Sequence, residues 1–536
     1  MATEPFRLTP CVLFEDDDLL VVRKPAGINT HAPSPHAGEG IYEWLRHREP
    51  RWAHLAIIHR LDKDTSGVMV FAKSQKANRS LTEQFTKRMV RKKYVLITDR
   101  KTSVDELTVE SDLVRAGDQY RSQAGAASGN HAVTQFKRIG VDAGGVLFEA
   151  RPLTGRTHQI RVQAAENGLP ILGDTLYGGT PAGRLFLHAQ ELSFKHPTSG
   201  ESVLFEVPPP FEIEAWAGLR ATFVDSTTTD AYRLIHGTAD GFPGLYVDLL
   251  GKYALAQSDR ALSEPQLKTI ESIVRQRGLQ GVYFKLLNRH VRQAGMAQAS
   301  PEKILGESAP EEFEIRENGL RFGLRFGEGY SVGLFLDQRE NRRRFLTGHV
   351  AADFPLPGAG NERPEVLNTF AYTCGFSVAA AAAGAHVTSV DLSGKYLDWG
   401  RRNFEINGID PAAHEFLSGD VFDWLKRLRK KQRSYDVVVL DPPTFSTSKV
   451  SGTFRVEQDF GRLTQTALEV LKPGGVLLAS ANTARLDAET FLAAVEGAAS
   501  ACGRRVRQRH YVPQPPDFPV AKMEPAYLKT VWMRID

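Results

Sequence analysis

The sequence predicts a multidomain fold in which an α+β domain, a small α+β domain and a doubly wound α/β domain follow one another. Its 536 residues exceed the ~100–200 residues of an ordinary domain. In the first part of the chain, short β-rich runs alternate with glycine, proline and asparagine turns, whereas strands alternate with helices from about residue 330. We therefore expect domains at residues 1–215, 216–329 and 330–536.

The composition is typical of a soluble globular protein, with 42% hydrophobic and 24% charged residues and a formal net charge of +4. No apolar run is long enough to span a bilayer, and the first residues are acidic where a signal peptide needs basic ones. We therefore expect a cytoplasmic protein without membrane contact. Cys11, Cys374 and Cys502 lack CxxC spacing, so we expect no metal site and a small buried apolar role for each.

In the first domain, LLVV and KKYVLI are predicted strands, and a helix is predicted from Lys76 to Val90. Leu81, Phe85 and Met89 repeat at every fourth position of this helix and give it one apolar face. Three successive prolines, residues 208–210, end the region because they lack backbone donors.

The second domain is predicted to have strands near GLYVDLL, KYALAQ and GVYFKLL around a helix at Glu264 to Gln276. In the third, the runs VLNTF, HVTSVD, YDVVVLD and GVLLASA are almost continuously apolar. Such runs indicate a parallel sheet that is covered on both faces, with ligands beyond the carboxyl ends of its strands.

The most specific text in the first domain is HRLDKDTSG, where Asp62 follows His59 and Arg60. Alone, Arg60 and Asp62 could be a surface ion pair. The same domain also contains KKYVLI, RPLTGRTHQIRVQ, ILGDTLYGG and RLFLHAQELSFKHP. Together these motifs closely resemble the RluA family of pseudouridine synthases over residues 13–211. The resemblance implies that Asp62 is the catalytic aspartate and that Arg161 is its partner.

Pseudouridine formation breaks an N-glycosidic bond and rejoins the base through C5, so a carboxylate must stabilise a cationic sugar or hold a covalent adduct. The resemblance implies that Tyr94 packs against the target ring, and its hydroxyl suits proton removal at C5. Because the base must leave its stack, Arg60 or His59 could fill the gap. Arg156 and His158 complete the predicted RNA contacts, and this half needs no cofactor.

In the third domain, LNTFAYTCGFSVAAAAAGAHVTSVD reads as strand, turn, helix and strand, with Thr373 and Gly375 in the turn and Asp391 ending the second strand. A turn glycine followed by an acid suits a nucleoside, and the phosphate-binding GxGxxG is absent. S-adenosylmethionine is therefore the expected cofactor, in preference to NAD.

Two further acids end predicted strands of this domain. Asp420 could accept from an adenine amino group, and Asp441 opens DPPTF, where Phe445 could hold a flat base. Any one of these acids could instead be a helix cap or a turn former.

The segment 229–536 resembles the large-subunit rRNA methyltransferases of the RlmI and RlmK kind, through AYRLIHGTADGFPGLYVDLLG, GLFLDQRENRR and LDPPTFSTSK. The resemblance implies that the middle domain helps to bind RNA and that Gln338 and Arg339 lie near the cofactor. The expected partner is RNA, with 23S rRNA favoured and tRNA open for the synthase half. The oligomeric state stays unassigned.

These observations favour a bifunctional RNA-modifying enzyme. Three alternatives remain: an active synthase whose methyltransferase half methylates cytosine C5, one whose methyltransferase half serves mainly as an RNA-docking module, and a non-catalytic ribosome-assembly factor. Methylation of cytosine C5 needs a thiolate, and the strand after DPP has no cysteine. The text also lies closer to the RlmK kind, which implies that guanine N7 is the acceptor, with Asp441 as the catalytic residue that orients the base together with Phe445.

Overall fold

The computed structural model describes residues 9–123, 130–142, 144–287, 300–329, 331–358, 363–448, 450, 452–521 and 523–536. The chain forms two compact units. Unit 1 contains residues 1–33, 39–45 and 54–225, and unit 2 contains residues 34–38, 46–53 and 226–536. The predicted start of the third domain, residue 330, lies outside the described residues.

The amino-terminal part contains eleven described strands and four described helices. The strands are β1 Val12–Glu15, β2 Leu19–Lys24, β3 Ala56–Ile57, β4 Ser66–Ala72, β5 Arg91–Thr98, β6 Glu106–Ala116, β7 Gln119–Ser122, β8 His131–Asp142, β9 Gly145–Pro152, β10 Leu187–Lys195 and β11 Ser202–Glu206. The helices are α1 Ile41–Arg48, α2 Gln75–Thr86, α3 Gln159–Glu166 and α4 Ala215–Phe223.

These strands form one mixed sheet in the order β1-β2-β4-β10-β5-β9-β8-β6-β7, with β3 beside β4 and β11 beside β10. The pair β4 and β10 is parallel, and β10 and β5 are antiparallel. Two apolar clusters cover this sheet, one including Leu81 of α2 and the other Ile160 of α3. The α+β class predicted for this part is confirmed.

The predicted helix from Lys76 to Val90 is real but ends earlier, at Thr86. Arg88 has a φ of +57°, and the Met89 amide donates to the Gln84 carbonyl. A left-handed residue cannot continue an α-helix, so the chain turns there. The prediction that Met89 lies on the apolar face of this helix is wrong, because Met89 lies beyond the helix and is 50% exposed.

Unit 2 begins with a small sheet of its own. Its described strands are β12 Ala231–His236, β13 Leu245–Leu250, β14 Tyr253–Ser258, β15 Gly281–Leu286 and β16 Glu302–Gly306, and its helix is α5 Glu264–Arg277. The predicted strands and helix of this segment are confirmed. A hairpin of β17 Phe313–Glu317 and β18 Leu320–Leu324 follows, and then β19 His349–Ala351 with β20 Phe354–Pro355.

The remainder of unit 2 is a sheet covered by helices. Its strands are β21 Glu365–Thr369, β22 His386–Asp391, β23 Glu415–Ser418, β24 Tyr435–Leu440, β27 Leu471–Asn482, β28 Val506–Val512 and β29 Leu528–Ile535, and β25 Phe445–Ser448 with β26 Gly452–Arg455 forms a separate ribbon. The helices are α6 Arg339–Thr347, α7 Gly375–Ala382, α8 Gly394–Glu405, α9 Val421–Lys430, α10 Val456–Leu468 and α11 Ala488–Ala501.

The seven strands have the order β23-β22-β21-β24-β27-β29-β28, and the first five are parallel. β29 runs antiparallel between β27 and β28. This is the predicted doubly wound sheet, and the chain order reverses between β21 and β24. Ligands bind at such a reversal, beyond the carboxyl ends of the strands.

The segment 226–329 shares one apolar core with this sheet domain. That cluster joins Leu255 and Phe322 to Cys374, Val378 and Leu397. The segment accordingly belongs to the same compact unit as the sheet. The division into three domains stays a prediction. No helix in the described part of the chain is both long and apolar enough to cross a membrane.

Candidate active sites

A cavity of about 1310 Å³ opens in unit 1, and the turn that precedes β4 forms part of its wall. This turn contains Asp62, whose carboxylate is partly exposed at the cavity. Strand β5 contributes Tyr94, the N-cap of α3 contributes His158, and the first turn of α3 contributes Arg161. The fold therefore brings together four predicted residues that span about a hundred positions of the sequence.

Arg161 has two carboxylate partners rather than the single one expected. Its Nε and Nη2 atoms each donate to Asp174 at 2.7 Å, whereas Nη1 lies 3.5 Å from Asp62 Oδ2. Asp174 is buried, at 2% exposure. The bidentate pair fixes the guanidinium plane and leaves one edge toward Asp62. Asp174 lies in ILGDTLYGG. Sequence reasoning missed it because nothing in that motif shows that Asp174 contacts Arg161 in the fold.

His158 and Tyr94 flank the same carboxylate. His158 Nε2 lies 3.9 Å from Asp62 Oδ2, and its Nδ1 is 2.7 Å from the hydroxyl of Tyr177. Burial and the nearby Asp62 raise the pKa of Tyr94 above its usual range. Tyr94 is therefore a neutral phenol at physiological pH, with its ring in the cavity wall.

Buried polar groups hold the Asp62 turn in place. Lys24 Nζ donates to the carbonyls of Pro25, Lys63 and Thr65 at 2.8–2.9 Å, and burial lowers its pKa to about 7. The Thr30 hydroxyl donates to the Leu61 carbonyl. These bonds fix the backbone on both sides of Asp62, so the carboxylate has a defined position before substrate binds.

The predicted RNA contacts differ in exposure. His59 is a packing residue: its Nε2 accepts from the Val70 amide, its ring stacks on Phe85, and burial lowers its pKa to about 3. Its ring is therefore not available to fill a gap in an RNA stack. Arg60 and Arg156 are exposed at the cavity.

In unit 2 the turn after β21 is strained. Phe370, Tyr372 and Cys374 have φ values of +56°, +50° and +65°, although none is glycine. Such conformations cost of order 1–3 kcal/mol each and concentrate where a backbone cradles a ligand. Gly375 is not the left-handed residue: it opens α7, and a side chain there would collide with Leu334.

Asp391 ends β22 beside this turn. Its two oxygens accept the backbone N–H groups of Tyr372 and Ser393, at 2.8 and 2.9 Å. Thr373 is buried, and its hydroxyl donates to the Gly333 carbonyl. Asp420 is the N-cap of α9 and accepts from the Asp423 amide at 3.1 Å.

Asp441 follows β24 at the same edge of the sheet. Gln338 Nε2 donates to Asp441 Oδ1 at 3.2 Å and to the Ser480 hydroxyl at 2.7 Å. Asn341 in turn holds the Gln338 amide oxygen at 2.7 Å. Burial and the neighbouring Asp337 raise the pKa of Asp441 to about 7.

Arg339 does not extend this group. It is buried and makes a bidentate ion pair with Asp517, at 2.6 and 2.8 Å. Phe445 opens β25, is 40% exposed, and has the Arg455 guanidinium 5.4 Å from its ring centre. Sequence reasoning missed Ser480, in the run GVLLASA, and Asn341, in GLFLDQRENRR, because only the fold shows that both contact Gln338.

The expectation of small buried cysteines holds for two of the three. Cys11 and Cys374 are buried, whereas Cys502 is exposed at the end of α11. Burial raises the pKa of Cys374 to about 12, and its Sγ fills the space above Gly400. It is therefore a packing thiol, not a thiolate.

The residues at the edge of the sheet fit S-adenosylmethionine. The left-handed backbone between Phe370 and Cys374 offers a close approach without a glycine-rich phosphate loop. Asp391, fixed by two amides, is an acceptor suited to a ribose diol, and Asp441 lies at the neighbouring strand end.

Comparison with known proteins agrees with both sites. The family model for S-adenosylmethionine-dependent methyltransferases matches residues 233–534, and the model for RNA pseudouridylate synthases matches residues 18–166. A ribosomal RNA large subunit methyltransferase of Deinococcus radiodurans is 35% identical over 313 residues, which are 58% of this chain and 73% of that protein.

Two further similarities concern the carboxy-terminal part. Ribosomal RNA large subunit methyltransferase I of Klebsiella pneumoniae is 33% identical over 321 residues, 59% of this chain and 76% of that protein. The crystal structure of the methyltransferase SMU.776 in complex with SAH has a TM-score of 0.51 and 28% identity, and covers 64% of this chain and 87% of its own. The chain thus belongs to the S-adenosylmethionine-dependent methyltransferase family, and it carries an RNA pseudouridylate synthase domain in its amino-terminal part.

Proposed function

We propose that this chain modifies ribosomal RNA twice, by isomerising one uridine to pseudouridine and by methylating one base. The observation that carries this proposal is that one chain holds two separate, differently built sites. In unit 1, Asp62 lies beside Arg161 in a large cavity; in unit 2, Asp391 and Asp441 lie at the carboxyl edge of a parallel sheet.

In the synthase site, the Asp62 carboxylate either adds covalently or stabilises a cationic sugar while the bond between C1′ and N1 breaks. The base turns, C1′ bonds to C5, the proton on C5 leaves, and N1 gains a proton, so no atom is gained or lost. Tyr94 stays protonated because burial and Asp62 raise its pKa. Because the hydroxyl already carries a proton, it accepts the C5 proton only if it gives up its own. The Asp62 carboxylate is the nearby group that takes that proton.

In the methyltransferase site, we infer that the acceptor is a base nitrogen, with guanine N7 favoured. When bound, S-adenosylmethionine supplies an electrophilic methyl group. N7 already has a free lone pair, so the protein needs only to position the base and stabilise the charge that develops. Asp441, held by Gln338, and the exposed Phe445 suit these roles. Buried Cys374 does not suit nucleophilic addition to cytosine C6.

The choice of ribosomal RNA rests on the names of the relatives, which are large-subunit rRNA methyltransferases from two bacteria. The same RNA is proposed for the synthase half. Arg60 and Arg156, both exposed at the cavity, are the proposed RNA contacts there.

The test is to incubate the purified chain with S-adenosylmethionine and unmodified large-subunit rRNA, and then to map modified nucleosides by mass spectrometry. We expect one new pseudouridine and one 7-methylguanosine. If 5-methylcytidine appears and Cys374→Ala abolishes it, the nitrogen assignment is wrong. If pseudouridine forms but no methyl group is transferred, the carboxy-terminal half is a docking module.

A further inference from the structure

Strand β5 carries a cation into the synthase cavity that no assigned step uses. Lys92 lies two positions before Tyr94, so both side chains are on the same face of the strand, and both line the cavity. Lys92 Nζ donates to the carbonyl of Thr154 at 2.9 Å. This is a neutral acceptor, which satisfies one of the three ammonium donors.

Among the described residues Lys92 pairs with no carboxylate, and its ammonium group contacts the Thr154 carbonyl instead. The adjacent Lys93, on the opposite face of β5, pairs with Glu191 of β10. Burial alone lowers the pKa of Lys92 to about 8. An ammonium held away from water without a counter-charge costs free energy, and the fold keeps this one at the catalytic cavity.

Two buried arginines that line the same cavity differ from Lys92 in this respect. Arg161 is neutralised by Asp174 and Asp62, and Arg184 donates to the carbonyls of Pro210 and Ile213 and to the Ser66 hydroxyl. Each is thus occupied by the protein itself. Within the part of the chain that the structure describes, two N–H donors of Lys92 have no acceptor, and they lie beside the exposed Gly155.

We propose that Lys92 binds one backbone phosphate of the RNA strand that carries the target uridine, and so anchors that strand while the base enters the Asp62 cavity. This inference rests on the proposed function of unit 1. The phosphate supplies the counter-charge that the free protein lacks, and a compact ammonium suits a single phosphate oxygen. The contact is independent of sequence, so it positions the strand without selecting the base.

The test uses the full chain and the rRNA fragment that the wild-type protein modifies. Lys92→Gln keeps a donor for the Thr154 carbonyl but removes the charge, and Lys92→Arg keeps the charge. Lys93→Gln is the matched control, because it removes a neighbouring charge that Glu191 already neutralises. Circular dichroism melting curves of the same preparations report whether unit 1 of each variant is folded.

We expect Lys92→Gln to raise the KM of pseudouridine formation about tenfold, with kcat within twofold of wild type. The slope of log KM against log salt should fall by about 0.7, the value for one phosphate contact on a single strand. Lys92→Arg should retain most of the affinity, and Lys93→Gln should behave as wild type.

A second measurement changes the RNA rather than the protein. Neutral methylphosphonate linkages, placed one at a time near the target uridine, should include one position that raises the wild-type KM about tenfold and does not raise that of Lys92→Gln further. An unchanged KM or salt slope in Lys92→Gln, or the absence of such a position, overturns the inference. If no RNA is isomerised by the wild type, the proposed function fails instead.

Discussion

At the scale of single residues, the Asp62 carboxylate is the group on which the proposed isomerisation depends. Asp62→Asn keeps its shape and removes its charge. We expect pseudouridine formation to fall at least a thousandfold, since neither a covalent adduct nor a cationic sugar is then supported. Methyl transfer by the same chain should be unchanged, and mass spectrometry of one RNA sample reports both products. Near wild-type isomerisation would contradict the assignment.

The sequence motifs do not point to Asp174, because the family resemblance pairs Arg161 with Asp62 alone. We predict that Asp174→Asn lowers both the stability of unit 1 and the rate of isomerisation. The variant leaves a buried guanidinium without its bidentate partner, which costs about 3–5 kcal/mol. A calorimetric melt of the variant checks stability, and Asp64→Asn, at an exposed position, is the control. An unchanged melt would show that Asp62 alone suffices for Arg161.

Asp441 gives unit 2 a pH-dependent stability. Its pKa is raised from 3.8 to about 7 in the folded state, so the folded protein binds an extra proton between these values. The contribution of this group to stability is therefore largest below pH 4 and decreases as the pH rises toward 7. We predict that Asp441→Asn flattens this decrease and, at pH 7.5, stabilises unit 2 by on the order of 1 kcal/mol. Melting midpoints between pH 5 and pH 8 test the sign, and a variant less stable than wild type at pH 7.5 would contradict it.

At the scale of elements, most strands of unit 2 can be predicted from the sequence, because apolar runs such as VVVL of β24 and GVLLA of β27 are uninterrupted. The sequence predicts turns less well. Arg88 and the residues Phe370, Tyr372 and Cys374 adopt left-handed backbone without being glycine. Side-chain chemistry carries no signal for such strain, which only the surrounding fold imposes. For the same reason sequence reasoning places the turn at Gly375, whereas the residues before it adopt the left-handed backbone and Gly375 begins α7.

The strained turn after β21 and the end of β22 should act together on the cofactor. We predict that Asp391→Ala weakens S-adenosylmethionine binding at least tenfold, because the turn amide of Tyr372 loses its acceptor along with the proposed ribose contact. Isothermal titration calorimetry measures the change. Asp398→Ala is the control, since Asp398 pairs with Arg401 on the exposed side of α8. Equal loss in both variants would indicate general destabilisation.

At the scale of the whole molecule, the three prolines at residues 208–210 and the predicted domain end at residue 215 both lie inside unit 1. Arg184 lies against the Phe211 ring and binds the Ile213 carbonyl, and Phe223 of α4 packs edge-on against Trp44. We predict that a fragment ending at Asp225 melts about 5 °C or more above one ending at Pro210, because the shorter one exposes these buried rings. Circular dichroism compares them. Equal melting points would place the segment after Pro210 outside the synthase core.

The position of β29 in the sheet has a consequence for biosynthesis. Leu528–Ile535 is hydrogen-bonded on both sides, between β27 and β28, so the apolar edge of β27 stays open until this segment has left the ribosome. The strands of unit 1 have all emerged long before, and domains generally fold in order of synthesis. The isomerase half of a nascent chain can therefore mature while the sheet of its methyltransferase half is still incomplete, and a nonsense mutation before Leu528 would remove one activity and spare the other.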